Sequence, residues 1–185
     1  MAWLVLLAAT SPAVAIDSTK AVRAANLSAE SRPGDDGVFD YKASHVLKAD
    51  LNRDGIEEVV YLLTATCIAV NFDCPNEVIV LTPIPADSPR LRGHPNIENA
   101  YERDYRRRLT AVGYADNAGF QMPGKVDALL IDGNDIRVHF TVNAESNLCK
   151  RALETRLAGR EPPCPAAGTY TWRLAWKPGS IAQKQ

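Results

Sequence analysis

Residues 50 to 58 read Asp50-Leu51-Asn52-Arg53-Asp54-Gly55-Ile56-Glu57-Glu58. Oxygen-bearing side chains stand at the first, third, fifth and ninth positions, with glycine at the sixth. A hard divalent cation asks for this spacing. It takes six to eight oxygen ligands at roughly 2.3 to 2.6 Å, and alternate side chains of a tight loop can converge on one point while the others face water. Asp50, Asn52, Asp54 and Glu58 are the candidate side-chain ligands, Ile56 offers its carbonyl, and Ca2+ is the expected ion. Gly55 falls where the loop turns sharply with positive φ, which is cheapest without a Cβ. The same residue types also build metal-free polar turns, because Asp and Asn satisfy nearby backbone amides and tolerate left-handed conformations.

The flanks decide what kind of loop this is. Position twelve, where a helix-loop-helix calcium site closes its shell with a bidentate glutamate, is Tyr61. His45 to Ala49 and Val59 to Thr64 are rich in β-branched and aromatic residues, so strand, loop, strand is expected rather than helix, loop, helix. On these residues the segment Ala49 to Leu63 resembles the calcium-loop hairpins of the FG-GAP and VCBS repeats of secreted proteins. The resemblance implies a static, ion-pinned hairpin with Asp50, Asn52, Asp54, Ile56 and Glu58 as ligands. That family more often carries aspartate at the ninth position, where this chain has Glu58. No second copy recurs at a regular spacing, which argues against a many-bladed propeller.

Elsewhere the chain offers little catalytic chemistry. His45, His94 and His139 are its only side chains that ordinarily titrate near neutrality. None accompanies a G-x-S-x-G elbow or an H-E-x-x-H helix, and phosphate-cradling and dinucleotide glycine loops are absent. Tyr101, Arg103, Tyr105, Arg106 and Arg107, continued by Arg108, form the most distinctive polar run outside the loop. Arginine and tyrosine supply area and planar hydrogen bonding at binding hot spots, so these residues are candidate partner contacts. A solvated face, partly neutralised by Glu98, Glu102 and Asp104, is the plainer account of the same run.

Met1 to Ala15 is apolar and ends Ala13-Val14-Ala15, a small-residue cleavage pattern, so a signal peptide over 1–15 and an exported, periplasmic or secreted, chain are expected; no Lys or Arg precedes Lys20. No other apolar run approaches the roughly eighteen residues of a membrane span. Four cysteines suit an oxidising compartment. They allow three pairings, of which Cys67 with Cys74 and Cys149 with Cys164 need only local loop closure. The net charge of −1 provides no basic field for nucleic acid.

These residues have to be positioned by strands. Residues 16–37 are rich in Ala, Ser and charge and are expected as a flexible segment, with a short helix over Thr19 to Leu27. Glu77 to Thr82 is a continuously apolar run of the kind buried on both faces. Pro83 to Asn99 holds four prolines and is expected as irregular. Ile136, Val138, Phe140 and Val142 alternate with Arg137, His139, Thr141 and Asn143, and Tyr170, Trp172, Leu174 and Trp176 alternate likewise. Asp132-Gly133-Asn134-Asp135 is hairpin-turn chemistry. Counting Arg108 to Ala115, the chain is expected to be mainly β: an antiparallel β-sandwich or open barrel of about seven strands over 38–178, with little helix, two disulfide-closed loops and a tail from 179. The expected function is a non-enzymatic exported domain with one structural Ca2+ that contacts another envelope macromolecule. The alternatives are an exported hydrolase with His45 or His94 as base, and a purely structural envelope module.

Overall fold

The computed structural model describes residues 18–30, 39–67, 76–84, 107–144 and 165–184. Two four-stranded antiparallel sheets carry the described chain. The first runs in the order β1 (Phe39–Ala49), β2 (Glu58–Cys67), β3 (Asn76–Pro83), β4 (Tyr114–Gln121), and the second β5 (Lys125–Asp132), β6 (Asp135–Val142), β7 (Gly168–Lys177), β8 (Ser180–Gln183). The mainly β, antiparallel expectation holds.

Alternation along β2 and β3 explains the layering. Val60, Leu62, Val78 and Val80 join Val126, Leu129, Ile136, Val138, Phe140, Leu174 and Trp176 in one apolar cluster fed by both sheets. The intervening Val59, Tyr61, Leu63, Ile79 and Leu81 point the other way and pack with Ala21, Ala24, Ala25 and Ala29 of α1 (Ser18–Glu30). The unbroken apolar run at 77–82 is therefore a strand buried on both faces, as its composition predicts. Trp172 packs edge-on against Phe140 (ring centroids 4.8 Å apart) and Phe120 (6.3 Å), so the aromatic face of β7 lies inward.

Three expectations are corrected. The short helix expected over Thr19 to Leu27 within the segment 16–37 is longer than expected: α1 has thirteen residues, and its buried Ala21, Ala24, Ala25, Ser28 and Ala29 follow helical spacing. Small side chains let this helix lie close on the sheet. The Tyr61 hydroxyl donates to Ser28 Oγ at 2.7 Å in the buried interface. The strand expected over Arg108 to Ala115 starts instead at Tyr114. Residues 107–111 form a helical turn, and Val112 N and Gly113 N donate to the carbonyls of Leu109 (3.1 Å) and Thr110 (2.8 Å) before the chain reverses at Gly113, φ 90°. The expected tail from 179 supplies β8, paired to β7 from Leu174↔Gln183 to Lys177↔Ser180. Among the described residues no helix is long and apolar enough to cross a membrane. The cleavage pattern at 1–15, the prolines of 85–99, and Cys74, Cys149 and Cys164, with which the two disulfide expectations stand, lie outside the described residues.

One close approach gives a direct prediction. A Cβ on Gly124 would sit 2.3 Å from the Thr141 carbonyl oxygen and 3.2 Å from Val142 Cα. Both are backbone atoms of β6, which cannot swing aside as a side-chain tip does. Gly124→Ala is expected to cost about 2 kcal/mol through overpacking, lowering the melting temperature by about 4 to 8 °C in a chain of this size. Thermal unfolding followed by circular dichroism checks it.

Candidate metal centre

The candidate loop joins β1 to β2 at one end of the first sheet. Val59 pairs with Lys48 and Leu81, and Pro83 with Tyr114, so the loop, the end of β3 and the start of β4 share that end. The side chains of Asp50, Asn52 and Asp54 shape the backbone. Asp50 Oδ1 accepts from Asp54 N (3.1 Å) and Asp50 Oδ2 from Gly55 N (2.9 Å). Asn52 Oδ1 also accepts from Asp54 N (3.0 Å), Asp54 Oδ1 accepts from Ile56 N (2.8 Å), and Asn52 Nδ2 donates to Asp54 Oδ2 (2.8 Å). Gly55, at φ 85°, makes the turn that its position in the sequence requires. Arg53 also lies in the left-handed region, at φ 62°, which costs a non-glycine residue on the order of 1 kcal/mol and needs outside support.

Glu58 differs from the other candidate ligands. It sits on β2 with the parity of Val60 and Leu62, so its side chain faces the inter-sheet core and is 1 % exposed. Its Oε2 accepts from Leu51 N at 3.0 Å. Burial is the chief reason that its carboxyl is pushed up to about 7, with the charges of Asp54 and then Asp50 adding to the effect and the Leu51 N–H opposing it. Of the three carboxylates, Glu58 is the buried one, and the charges of Asp54 and Asp50 act on it from the loop. The neighbouring Glu57 turns away and pairs with Lys48 Nζ at 3.3 Å. Its charge, after burial, helps push the buried Tyr114 hydroxyl up to about 12. Tyr61, at the twelfth position, is committed to Ser28 on the α1 side.

The donors match a hard cation in kind: carboxylate oxygens from Asp50, Asp54 and Glu58, the amide oxygen of Asn52, and the Ile56 carbonyl. As they stand, these oxygens are largely engaged by the loop's own N–H groups. Among the described residues no three His, Cys, Asp or Glu side chains are gathered into a ready cation cage.

Two contacts that sequence reasoning missed tie the loop to the second sheet. Arg53 Nε donates to Asn134 Oδ1 at 2.9 Å, and Asn134 Nδ2 donates to the Leu51 carbonyl at 3.1 Å. Asn134 belongs to the β5–β6 turn, in which the positive φ falls on Gly133 (61°) and not on Asn134, the pattern of a type II′ hairpin. No sequence spacing links residues some eighty positions apart.

Among the described residues, the other candidates are not brought to this loop as a catalytic set. His45 sits at the β1 bulge with φ 51°, its Nδ1 3.3 Å from Ser44 Oγ. His139 lies on β6 of the other sheet, its Nδ1 2.8 Å from Thr171 Oγ1. His94 lies outside the described residues, as do Tyr101, Arg103, Tyr105 and Arg106, whereas Arg107 and Arg108 are exposed on the helical turn that leads into β4. No family model, curated protein or solved structure matches the chain, so the chemistry of this end of the molecule rests on its own side chains.

Proposed function

We propose that the protein is an exported, non-enzymatic β-sandwich domain that holds one structural Ca2+ in the 50–58 loop and contacts another envelope or secreted macromolecule. The observation that carries the proposal is the loop itself. Asp50, Asn52, Asp54 and Glu58 turn oxygen atoms toward a short loop that already bends at Gly55, and the buried Glu58 carboxyl is disfavoured as an anion by its surroundings and its like-charged neighbours. A divalent cation would relieve that repulsion. The Asp50, Asn52, Asp54 and Glu58 side chains and the Ile56 carbonyl would hold it, and it would supply positive charge and a fixed loop shape rather than a reaction centre. The shared apolar cluster supports stacking of the two sheets as a sandwich. The contact surface is assigned to the run Tyr101, Arg103, Tyr105, Arg106 and Arg107, because arginine and tyrosine supply area and planar hydrogen bonding at binding hot spots and Arg107 is exposed.

Titration calorimetry of the refolded mature chain with calcium chloride tests the ion. One site with Kd of about 10⁻⁴ to 10⁻³ M, the range of extracellular modules, is expected. Absence of any binding heat that a chelator reverses would remove the ion from the proposal. Partner contact has a separate check: capture from envelope extract with the unmodified chain should retain a stoichiometric protein that the combined Arg106→Ala and Arg107→Ala variant loses.

A further inference from the structure

The Asn134 side chain uses both ends of one amide on the candidate loop. Its oxygen takes the Arg53 Nε hydrogen and its nitrogen donates to the Leu51 carbonyl. Leu51 is in turn 3 % exposed within the inter-sheet core, and its own N–H is bonded to Glu58 Oε2. A continuous path of contacts therefore leads from Glu58 through Leu51 to Asn134, and from Asn134 to Arg53, which stands between Asn52 and Asp54. The turn that presents Asn134 is itself braced. Asp132 pairs with Arg137 and, at 3.1 Å, with Arg173 of β7, and Asp135 pairs with Lys184 at the end of β8.

We propose that Asn134 is a positioning residue for the calcium loop, and that the loop and the β5–β6 turn form one clasp across the two sheets, so that loading the loop with Ca2+ also fixes the turn on the opposite sheet. This rests on the loop taking the ion. The amide chemistry is specific. A carboxylate at 134 could still accept from Arg53 but has no hydrogen to give the Leu51 carbonyl, and it would add negative charge beside Asp50 and Asp54. An alanine removes both links. Partners that orient metal ligands without touching the metal are commonly worth 10- to 100-fold in affinity. A clasp of this kind gives an ion bound at one sheet an effect on a surface of the other, where β6 carries Arg137 and His139 outward.

The test compares the unmodified chain, Asn134→Ala, Arg53→Ala and, as a control at the far end of β6, Thr141→Ala. Each is measured in calcium chloride and in chelator, by calorimetry for Kd and by hydrogen exchange at single-amide resolution. In the unmodified chain calcium is expected to slow exchange both in the loop and at Gly133 to Asp135. Asn134→Ala should weaken Kd by about tenfold and leave exchange at Gly133 to Asp135 indifferent to calcium, while Thr141→Ala matches the unmodified chain in both. Arg53→Ala cuts one link from an exposed side chain and leaves the turn intact, so it reports on the clasp even if Asn134→Ala folds poorly; an intermediate Kd is expected. A merely structural Asn134 would lower melting equally with and without calcium and leave Kd unchanged. That result, or a β5–β6 turn that does not respond to calcium in the unmodified chain, overturns the clasp while leaving the ion in place. Absence of calcium binding to the unmodified chain overturns both.

Discussion

Replacing Asp50 and Asp54 together by alanine is expected to abolish the calcium-dependent rise in melting temperature while leaving the melting temperature in chelator within a few degrees of the unmodified chain. The first half follows from linkage. An ion that binds only the folded loop stabilises it by about 2.7 kcal/mol at a hundredfold excess over Kd, which is about 5 to 10 °C for a chain of this size. The double variant removes two of the three carboxylates, and no neighbouring acid replaces them, because Glu57 is turned toward Lys48. The second half is a balance of two smaller effects. Losing Asp50 and Asp54 takes acceptors from Asp54 N, Gly55 N, Ile56 N and Asn52 Nδ2. These groups are exposed, so water replaces the lost bonds and the cost stays at the low end of the usual 0.5–1.5 kcal/mol per hydrogen bond. Against this, removing both charges relieves Glu58, whose carboxyl they help to push up. Differential scanning calorimetry in calcium and in chelator separates the two halves. A double variant that keeps the calcium increment, or an unmodified chain that never shows one, contradicts the assignment.

The loop could be read from the sequence because its information is local. Asp, Asn, Asp and Gly at fixed offsets shape the turn, and the β-branched flanks exclude a pair of helices. The same holds for β3, whose unbroken apolar run states burial on both faces, and for β6 and β7, whose alternation states burial on one. The helix α1 was legible only in outline. Its buried stripe is made of alanine and serine, which carry little hydrophobic signal, and only the sheet it lies on shows that Ala21, Ala24, Ala25 and Ala29 are core. The strand expected from Arg108 begins only at Tyr114, because 107–111 form a helical turn and the chain reverses at Gly113 with φ 90°.

What the sequence could not carry is whatever depends on the pairing of distant segments. Asn134 reads as turn chemistry and nothing more until β5 and β6 are laid over the first sheet, where its amide meets Arg53 and Leu51. Tyr61 reads as a missing ligand at the twelfth position, yet its hydroxyl makes a buried polar contact between β2 and α1. The burial of Glu58 lies between these cases. Its parity with Val60 and Leu62 is visible in the sequence, but which face of β2 meets the second sheet is not.

That burial gives the second large effect, a pH dependence whose sign reverses with calcium. In chelator the folded state holds the Glu58 proton more tightly than the unfolded chain does, because its pKa is raised from 4.5 to about 7, first by burial and then by the charges of Asp54 and Asp50. A raised carboxyl contributes its stability in full below about 4.5 and loses it as the pH climbs to about 7, beyond which nothing further is lost. The gap corresponds to about 3 kcal/mol. Other carboxylates add slopes of their own, so the informative quantity is the difference between the unmodified chain and Glu58→Gln. The glutamine is neutral throughout and can still accept from Leu51 N, so this difference should open between pH 4.5 and 7 in favour of the variant and then stay flat. In calcium the requirement inverts. A cation needs the anionic carboxylate, so binding displaces the proton, and the stabilisation by calcium grows over the same interval in which the metal-free fold weakens. The unmodified chain in calcium should therefore hold its stability toward pH 8, whereas Glu58→Gln gains less from the ion. Urea unfolding at a series of pH values, with calcium and with chelator, resolves the four curves. Parallel curves for the unmodified chain and the glutamine variant in chelator would mean that Glu58 is ionised without penalty, and the case for a cation relieving its charge would go with it.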